Sequence, residues 1–102
     1  MIRHVLTWNF DEHVDAETRA AICAELDALP SHFPAMRNWT RGDNISKRDR
    51  TYAHAFVVDF DTEEELVAYL DSERHERFVA ERWRPNVSDR AITSFEVIDP
   101  SA

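Results

Sequence analysis

The chain has 102 residues and a formal net charge of −8, which predict one acidic domain over residues 1–102. Lysine and arginine form no continuous stripe, so we expect neither nucleic acid nor an anionic membrane as a partner. The single cysteine, Cys23, excludes an internal disulfide and fits a reducing cytoplasm. No apolar run is long enough for a signal peptide or a membrane span.

The first half of the chain predicts a strand followed by a helix. Over roughly Ile2–Phe10, two alternating sets of residues include many aromatic and β-branched side chains, which is typical of a strand. Asp15 is a good N-cap for a helix that we expect to run to about Leu29. Pro30 follows and cannot continue that helix.

The second half repeats the plan around a more buried strand. Met36–Ile45 predicts a second strand, and both faces of Tyr52–Phe60 are apolar enough for a central third strand. Thr62 and Glu65 form a capping-box pattern before the next helix. Arg90–Ile98 alternates again and predicts the fourth strand.

The two strands that open these halves also resemble each other. Ile2–Asp11 aligns without a gap with Tyr52–Asp61, and His4 then matches His54. Two successive β-α-β halves are typical of an α+β domain with the ferredoxin-like βαββαβ plan. We expect the first and third strands to lie side by side and parallel, with both histidines on the same face.

The face of the sheet that carries no helix predicts a homodimer. In a ferredoxin-like fold both helices cover one face, and the side chains on the other face are small and mostly apolar: Val5, Thr7, Ala53, Ala55 and Val57. Such a face needs a cover, so we expect a second copy of the chain to pack its sheet there. The pair of sheets would form a dimeric α/β barrel.

The second helix contains a geometric conflict between two residues of catalytic type. Tyr69 and His75 are six positions apart, which places them on different faces of a continuous helix. A break at Asp71–Ser72 resolves the conflict if one of these residues caps a new helix. His75 then lies in the first turn of that helix.

A pocket between sheet and helices could gather His4, His54, Tyr69 and His75. A helix N-terminus favours the neutral imidazole, so His75 could act as a general base. Tyr69 could donate a hydrogen bond to a developing oxyanion. The chemistry implied is proton abstraction next to a carbonyl, as in an aldol or Claisen step. The alternative is that each histidine is a hydrogen-bonded, partly buried core residue.

Metal and nucleotide cofactors are less consistent with the sequence. A zinc site made by His4, His54 and His75 is a rival interpretation, but neither an HxH nor an HxxxH pair is present. Gly42 is the only glycine, so no glycine-rich phosphate loop exists. We therefore expect a site without a metal or other cofactor.

Five short segments resemble one known family, the stress-responsive dimeric α/β-barrel (Dabb) proteins. They are Ile2-Arg3-His4-Val5, Pro34-Ala35-Met36, Asn44-Ile45-Ser46, Tyr52-Ala53-His54 and the series Tyr69…His75…Phe78. The resemblance spans nearly the whole chain. It implies a ferredoxin-like fold and a homodimer formed through the sheets.

The resemblance also implies roles for individual residues. The family includes a plant polyketide cyclase that forms olivetolic acid by an aldol closure without a cofactor. Its catalytic tyrosine and histidine would fall on Tyr69 and His75, and its supporting histidines on His4 and His54. Around them we expect substrate contacts from four apolar side chains, Leu6, Trp8, Phe56 and Phe78.

Two functions remain open from the sequence. The first is a cofactor-independent lyase or cyclase that acts on a small hydrophobic carbonyl compound. The second is a non-catalytic, stress-related dimer with a binding or assembly role. A cavity of several hundred cubic ångströms favours the first function, whereas a site packed shut by Trp8 and Phe56 favours the second.

Overall fold

The chain folds into a four-stranded antiparallel sheet with helices against one face. The computed structural model describes residues 1–101, and its strands are β1 (Ile2–Asn9), β2 (Arg37–Asp43), β3 (His54–Phe60) and β4 (Asp89–Glu96). Their order in the sheet is β2-β3-β1-β4. This arrangement confirms the predicted ferredoxin-like βαββαβ fold.

The helices lie in the two connections that cross the sheet. They are α1 (Ala16–Asp27), α2 (Leu29–His32), α3 (Glu63–Leu70) and α4 (Glu73–Phe78), and α4 continues into a π-helical turn, Val79–Trp83. None of these helices is both long and apolar enough to cross a bilayer.

Side-chain caps start α1 and α3, as the sequence predicts. The Asp15 carboxylate accepts a hydrogen bond from the Thr18 amide at 2.7 Å, and the Thr62 hydroxyl accepts one from the Glu65 amide at 3.2 Å. Each cap satisfies an amide that the first helical turn leaves without a partner. The two helix starts are therefore fixed by local chemistry.

The first helix ends two residues earlier than predicted, and a second, short helix lies where Pro30 is expected to end helical structure. α1 ends at Asp27, and the short α2 begins at Leu29 with Pro30 in its first turn. Proline is tolerated there because a first-turn residue needs no amide hydrogen. Most strand ends differ from the predicted ones by one or two residues. β4, for example, begins at residue 89 and stops at residue 96.

The expected parallel pairing of the first and third strands is wrong. β1 and β3 are antiparallel, so His4 lies opposite Val58 and His54 lies opposite Trp8. The reason is the β2–β3 hairpin, which reverses the chain before β3 begins. The two histidines share a face of the sheet, but they lie at opposite ends of the strands.

The core lies between the helices and the inner face of the sheet. Trp8 and Phe60 are fully buried there, and α1 contributes Ile22 and Leu26. The rings of Trp8 and Trp83 are 5.3 Å apart, which joins the sheet to the π-helical turn. Aromatic contacts of this kind position the segment that follows α4.

Within residues 1–101, the outer face of the sheet carries no helix. Val5 and Val57 are half-buried there, and Phe95 of β4 remains 43% exposed. Asp59 is a charged residue on the same face, yet its side chain is only 1% exposed because Arg3 and Asn38 bind it. Small apolar side chains thus occupy the centre of a face that lacks a cover within one chain.

Candidate functional site

A serine at the break between α3 and α4 brings Tyr69 and His75 together. The Ser72 hydroxyl donates to the Tyr69 carbonyl oxygen at 2.7 Å and accepts from the His75 amide at 3.1 Å. The break and the cap match the prediction from Asp71–Ser72. The resulting turn places the ring centroids of Tyr69 and His75 4.6 Å apart in an edge-on contact.

The His75 ring has a defined tautomer. Its Nδ1 lies 2.9 Å from the Leu70 carbonyl oxygen, which can only accept, so Nδ1 carries the proton. Burial lowers the pKa of His75, and this outweighs the opposite effects of the Leu70 carbonyl and of Glu76 and Asp71. The neutral ring therefore keeps a lone pair on Nε2, the atom that a general base needs.

Tyr69 provides a protonated phenol beside this imidazole. Its ring is 5% exposed and packs against Phe33 at 4.9 Å and Phe60 at 5.8 Å between centroids. Burial raises the pKa of the phenol well above its usual range, so the hydroxyl remains a donor. This hydroxyl forms no hydrogen bond with any side chain or backbone group among residues 1–101.

His4 on β1 contributes a third polar side chain to the site, from the sheet. It is 2% exposed, its Nδ1 lies 2.7 Å from the Ser94 hydroxyl, and its ring is 6.4 Å from that of Tyr69. Burial lowers the pKa of His4, and positive charge on His75 lowers it further. The site therefore favours two neutral imidazoles over a doubly charged pair.

These groups open onto a cavity of about 230 Å³ between the sheet and the α3–α4 segment. Most of its lining side chains are apolar. Six of the eight side chains predicted for the pocket line it: His4, Leu6, Phe56, Tyr69, His75 and Phe78. Its size suits a small ligand, since pockets for drug-sized ligands begin at about 300 Å³.

The expectation that His54 joins this pocket is wrong. His54 pairs with Asp43 through an Nδ1–Oδ1 distance of 2.8 Å, and its ring contacts those of Trp8 and Phe10 at 5.3 Å. The antiparallel β1–β3 register places it at the far end of the strand from His4. His54 instead borders two shallow surface depressions outside the cavity.

Trp8 is also placed differently from the prediction. It is fully buried behind the cavity wall, with its ring 6.0 Å from Phe56 and 5.3 Å from Trp83. It supports two residues that line the cavity and does not reach the space itself. Its indole nitrogen is buried without a hydrogen-bond partner among the described residues.

The rival three-histidine metal site is not assembled. His54 lies away from His4 and His75, for the reason of register given above. Within residues 1–101, no group of three or more histidine, cysteine, aspartate or glutamate side chains is arranged to hold a metal ion.

Sequence reasoning missed the contribution of β4 and of the segment before it. Arg84, Arg90, Ile92 and Ser94 all line the cavity. The alternation of the fourth strand groups Ile92 with Ser94, but it does not reveal which face of β4 meets the helices. No pattern in the sequence points to Arg84, which follows the π-helical turn.

Comparison with known proteins agrees with this architecture. The family described as the stress responsive A/B barrel domain matches residues 2–97. No curated protein matches the sequence significantly. A solved structure from Arabidopsis thaliana superposes with a TM-score of 0.89 at 19% identity and covers 100% of both chains.

Two further solved structures share the fold. A dimeric ferredoxin-like protein of unknown function from Thermobifida fusca has 26% identity and a TM-score of 0.78, with 94% of this chain and 90% of that chain covered. A hydroxynitrile lyase from Passiflora edulis has 18% identity and a TM-score of 0.87, with 96% and 94% covered.

Proposed function

Because the chain belongs to the stress-responsive A/B barrel domain family, we propose that it forms a homodimer whose cavity binds a small carbonyl compound. We propose further that it acts on this compound as a cofactor-independent lyase or cyclase. One observation carries the proposal: Tyr69 and His75, with rings 4.6 Å apart, both line the same largely apolar cavity.

In this proposal His75 is the general base. Its Nε2 lone pair accepts a proton from the carbon next to the ligand carbonyl, and the C–H electron pair becomes the enolate π bond. In the bond-forming direction, the enolate carbon attacks a second carbonyl carbon of the ligand, the π pair of that carbonyl moves to its oxygen, and the imidazolium gives the proton to the resulting alkoxide. Bond breaking is the reverse: His75 takes the proton of a hydroxyl group β to the carbonyl, the C–C electron pair becomes the enolate, and the imidazolium protonates the enolate carbon. A positioned base of this kind contributes about 10²–10⁴-fold to a rate. The lowered pKa keeps His75 unprotonated and ready at neutral pH.

Tyr69 stabilises the charge that this step creates. As the proton leaves carbon, negative charge grows on the carbonyl oxygen, and the phenol donates a hydrogen bond to it. The raised pKa of the phenol means that it donates without losing its proton. One such donor in a site of low polarity changes a rate by about 10²–10³-fold.

The apolar lining supports a hydrophobic ligand. Leu6 and Phe56 form the floor on the sheet, and Phe78 contributes from the end of α4. The hydroxynitrile lyase from Passiflora edulis shares the fold, which supports lyase chemistry as one use of this architecture.

The homodimer follows from the outer face of the sheet. Val5, Thr7, Ala55 and Val57 form a nearly uncharged centre without a helix to cover them. A second copy would bury these residues by packing sheet against sheet. The structural neighbour from Thermobifida fusca is itself dimeric, which supports this assembly.

A thermal-shift experiment with neutral aryl ketones tests the binding part of the proposal. Butyrophenone at tenfold its Kd should stabilise the protein by about 1.4 kcal/mol, which raises Tm by several degrees. Ile92→Trp places a large ring at the cavity edge, where Ile92 is 53% exposed, and should remove the shift. His75→Ala should keep the fold and still bind.

An activity assay on the same proteins, run beside the thermal shift, separates the two functions left open by the sequence. Ligand-dependent turnover that disappears in His75→Ala identifies an enzyme. Binding without turnover in the wild-type protein identifies a non-catalytic binding dimer. An unfolded His75→Ala variant would assign His75 to the structure instead, and an unchanged shift in Ile92→Trp would place the ligand elsewhere.

A further inference from the structure

Two arginines that line the cavity have no anionic partner in the described chain. Arg84 follows the π-helical turn and Arg90 lies on β4. The arginine ion pairs found within residues 1–101 use other side chains: Arg3, Arg37, Arg41, Arg77 and Arg82. In a protein with a net charge of −8, two uncompensated guanidinium groups on one apolar cavity require an explanation.

Both arginines lie at the same end of the cavity. Arg90 is the β4 residue opposite Trp8 of β1. The residue before Arg84 is Trp83, whose ring lies 5.3 Å from the same Trp8 ring. The backbones of both arginines therefore lie near Trp8, and both side chains line the cavity.

The acid–base groups lie at the other end. Ser94 is opposite His4 and binds it at 2.7 Å, and His4 in turn neighbours Tyr69. Arg90 and Ser94 are four positions apart on β4, or roughly 13 Å along a strand. Between the two ends, Leu6 and Ile92 face each other across β1 and β4 and keep the middle apolar.

We propose that the ligand is an acidic carbonyl compound, with a carboxylate held by Arg84 and Arg90 and a carbonyl group held at Tyr69 and His75. This inference rests on the proposed function, since it names the substrate class of the same cavity. A guanidinium group matches a planar carboxylate through two parallel N–H···O hydrogen bonds. The apolar middle of the cavity accommodates the hydrocarbon part that joins the two ends.

The two ends would also orient the ligand. A neutral ketone can enter the cavity in either direction, because it has no charged group that one end of the cavity would bind. A carboxylate at the arginine end leaves the carbonyl at the imidazole end, where proton transfer is proposed. Orientation of this kind raises the rate of a reaction as well as the affinity.

A matched ligand series tests the inference. The probes are benzoylpropanoate, benzoylbutanoate and benzoylpentanoate, each compared with its uncharged primary amide by isothermal titration calorimetry. Arg84 and Arg90 are exposed, so we expect a preference of roughly tenfold in Kd for the best acid over its amide, the scale of one charge-assisted hydrogen bond. The preference should shrink in about 0.5 M salt.

Matched variants place this preference at the two arginines. The double variant Arg84→Gln/Arg90→Gln should bind acid and amide equally, through loss of acid affinity alone. Arg48→Gln removes one positive charge from an exposed loop and should retain the full preference.

The outcomes separate this inference from the proposed function. Equal binding of acids and amides by the wild-type protein overturns the inference and leaves a cavity for neutral carbonyl compounds. A preference that survives in the double variant also overturns it. Failure of every acid and every amide to bind overturns both the inference and the proposed binding function.

Discussion

The ring of Tyr69 lies 4.6 Å from the ring of His75, although six positions separate the two residues in the sequence. A continuous helix would point them in different directions. The contact exists because Ser72 bonds to the end of α3 and to the start of α4 at once. One hydroxyl group thus sets the geometry of the candidate acid–base pair.

Ser72 is the first test of this geometry. Ser72→Ala should lower the free energy of unfolding by about 1 kcal/mol, because the His75 amide loses its cap. It should also weaken any ligand-dependent activity, since α4 is no longer fixed relative to Tyr69. Urea denaturation measures the first effect. Ser72→Thr keeps both hydrogen bonds and serves as the control, and equal losses in the two variants would contradict this role.

The two buried histidines predict a stability that falls in mild acid. The pKa values of His4 and His75 lie below their ordinary value of 6.5 in the folded protein. The unfolded chain therefore binds protons first as pH falls. Keeping these two histidines neutral therefore contributes to the free energy of unfolding in full above pH 6.5. This contribution is lost as the pH falls through their lowered pKa values in the folded protein.

Urea titrations between neutral and mildly acidic pH measure this effect. The double variant His4→Gln/His75→Gln should show a shallower decline than the wild-type protein over the same range. His32→Gln changes an exposed histidine outside the cavity and provides the control. A decline of equal size in the double variant would assign the acid sensitivity to other groups.

The Arg3–Asp59 pair predicts an asymmetric response to mutation. The Arg3 side chain is 39% exposed, whereas that of Asp59 is 1% exposed. Arg3→Met leaves a buried carboxylate with Asn38 as its remaining partner and should cost about 2–3 kcal/mol. Asp59→Asn frees an arginine that can reach water, so it should cost less, about 1 kcal/mol. Urea denaturation that gives the reverse order would contradict this assignment.

The outer face of the sheet gives a test of assembly. Val57→Asp introduces a charge at the centre of the proposed dimer interface, opposite Val5 in the β1–β3 pair. We expect light scattering at micromolar concentration to give twice the chain mass for the wild-type protein and the single mass for the variant. Glu64→Lys on the exposed start of α3 should leave the dimer intact. A wild-type monomer would contradict the proposal.

His54 separates what the sequence predicts from what it leaves open. Period-two alternation correctly places His4 and His54 on one face of the sheet. It contains no signal for strand direction, and the antiparallel register moves His54 to the opposite end. His54→Gln should therefore leave the Kd of a cavity ligand unchanged, whereas Phe56→Ala should alter it. Calorimetry that shows a large loss in His54→Gln would contradict this placement.

Local chemistry explains which predictions succeed. Caps such as Asp15 and Ser72 act over three residues, so their roles are visible in the sequence. Arg84 lines the cavity because the neighbouring residue, Trp83, packs against Trp8. Trp8 and Trp83 lie far apart in the chain. Contacts of that type depend on the whole fold, and no short pattern encodes them.

The most direct measurement is exchange of the ligand protons next to the carbonyl in heavy water, followed by NMR with the ketone that binds most tightly. The wild-type protein should accelerate this exchange, His75→Ala should reduce it to the rate without protein, and Tyr69→Phe should reduce it by about 10²-fold. His32→Ala should exchange like the wild-type protein. Equal acceleration by wild type and His75→Ala, both with ligand bound, would contradict the assignment of His75 as the base.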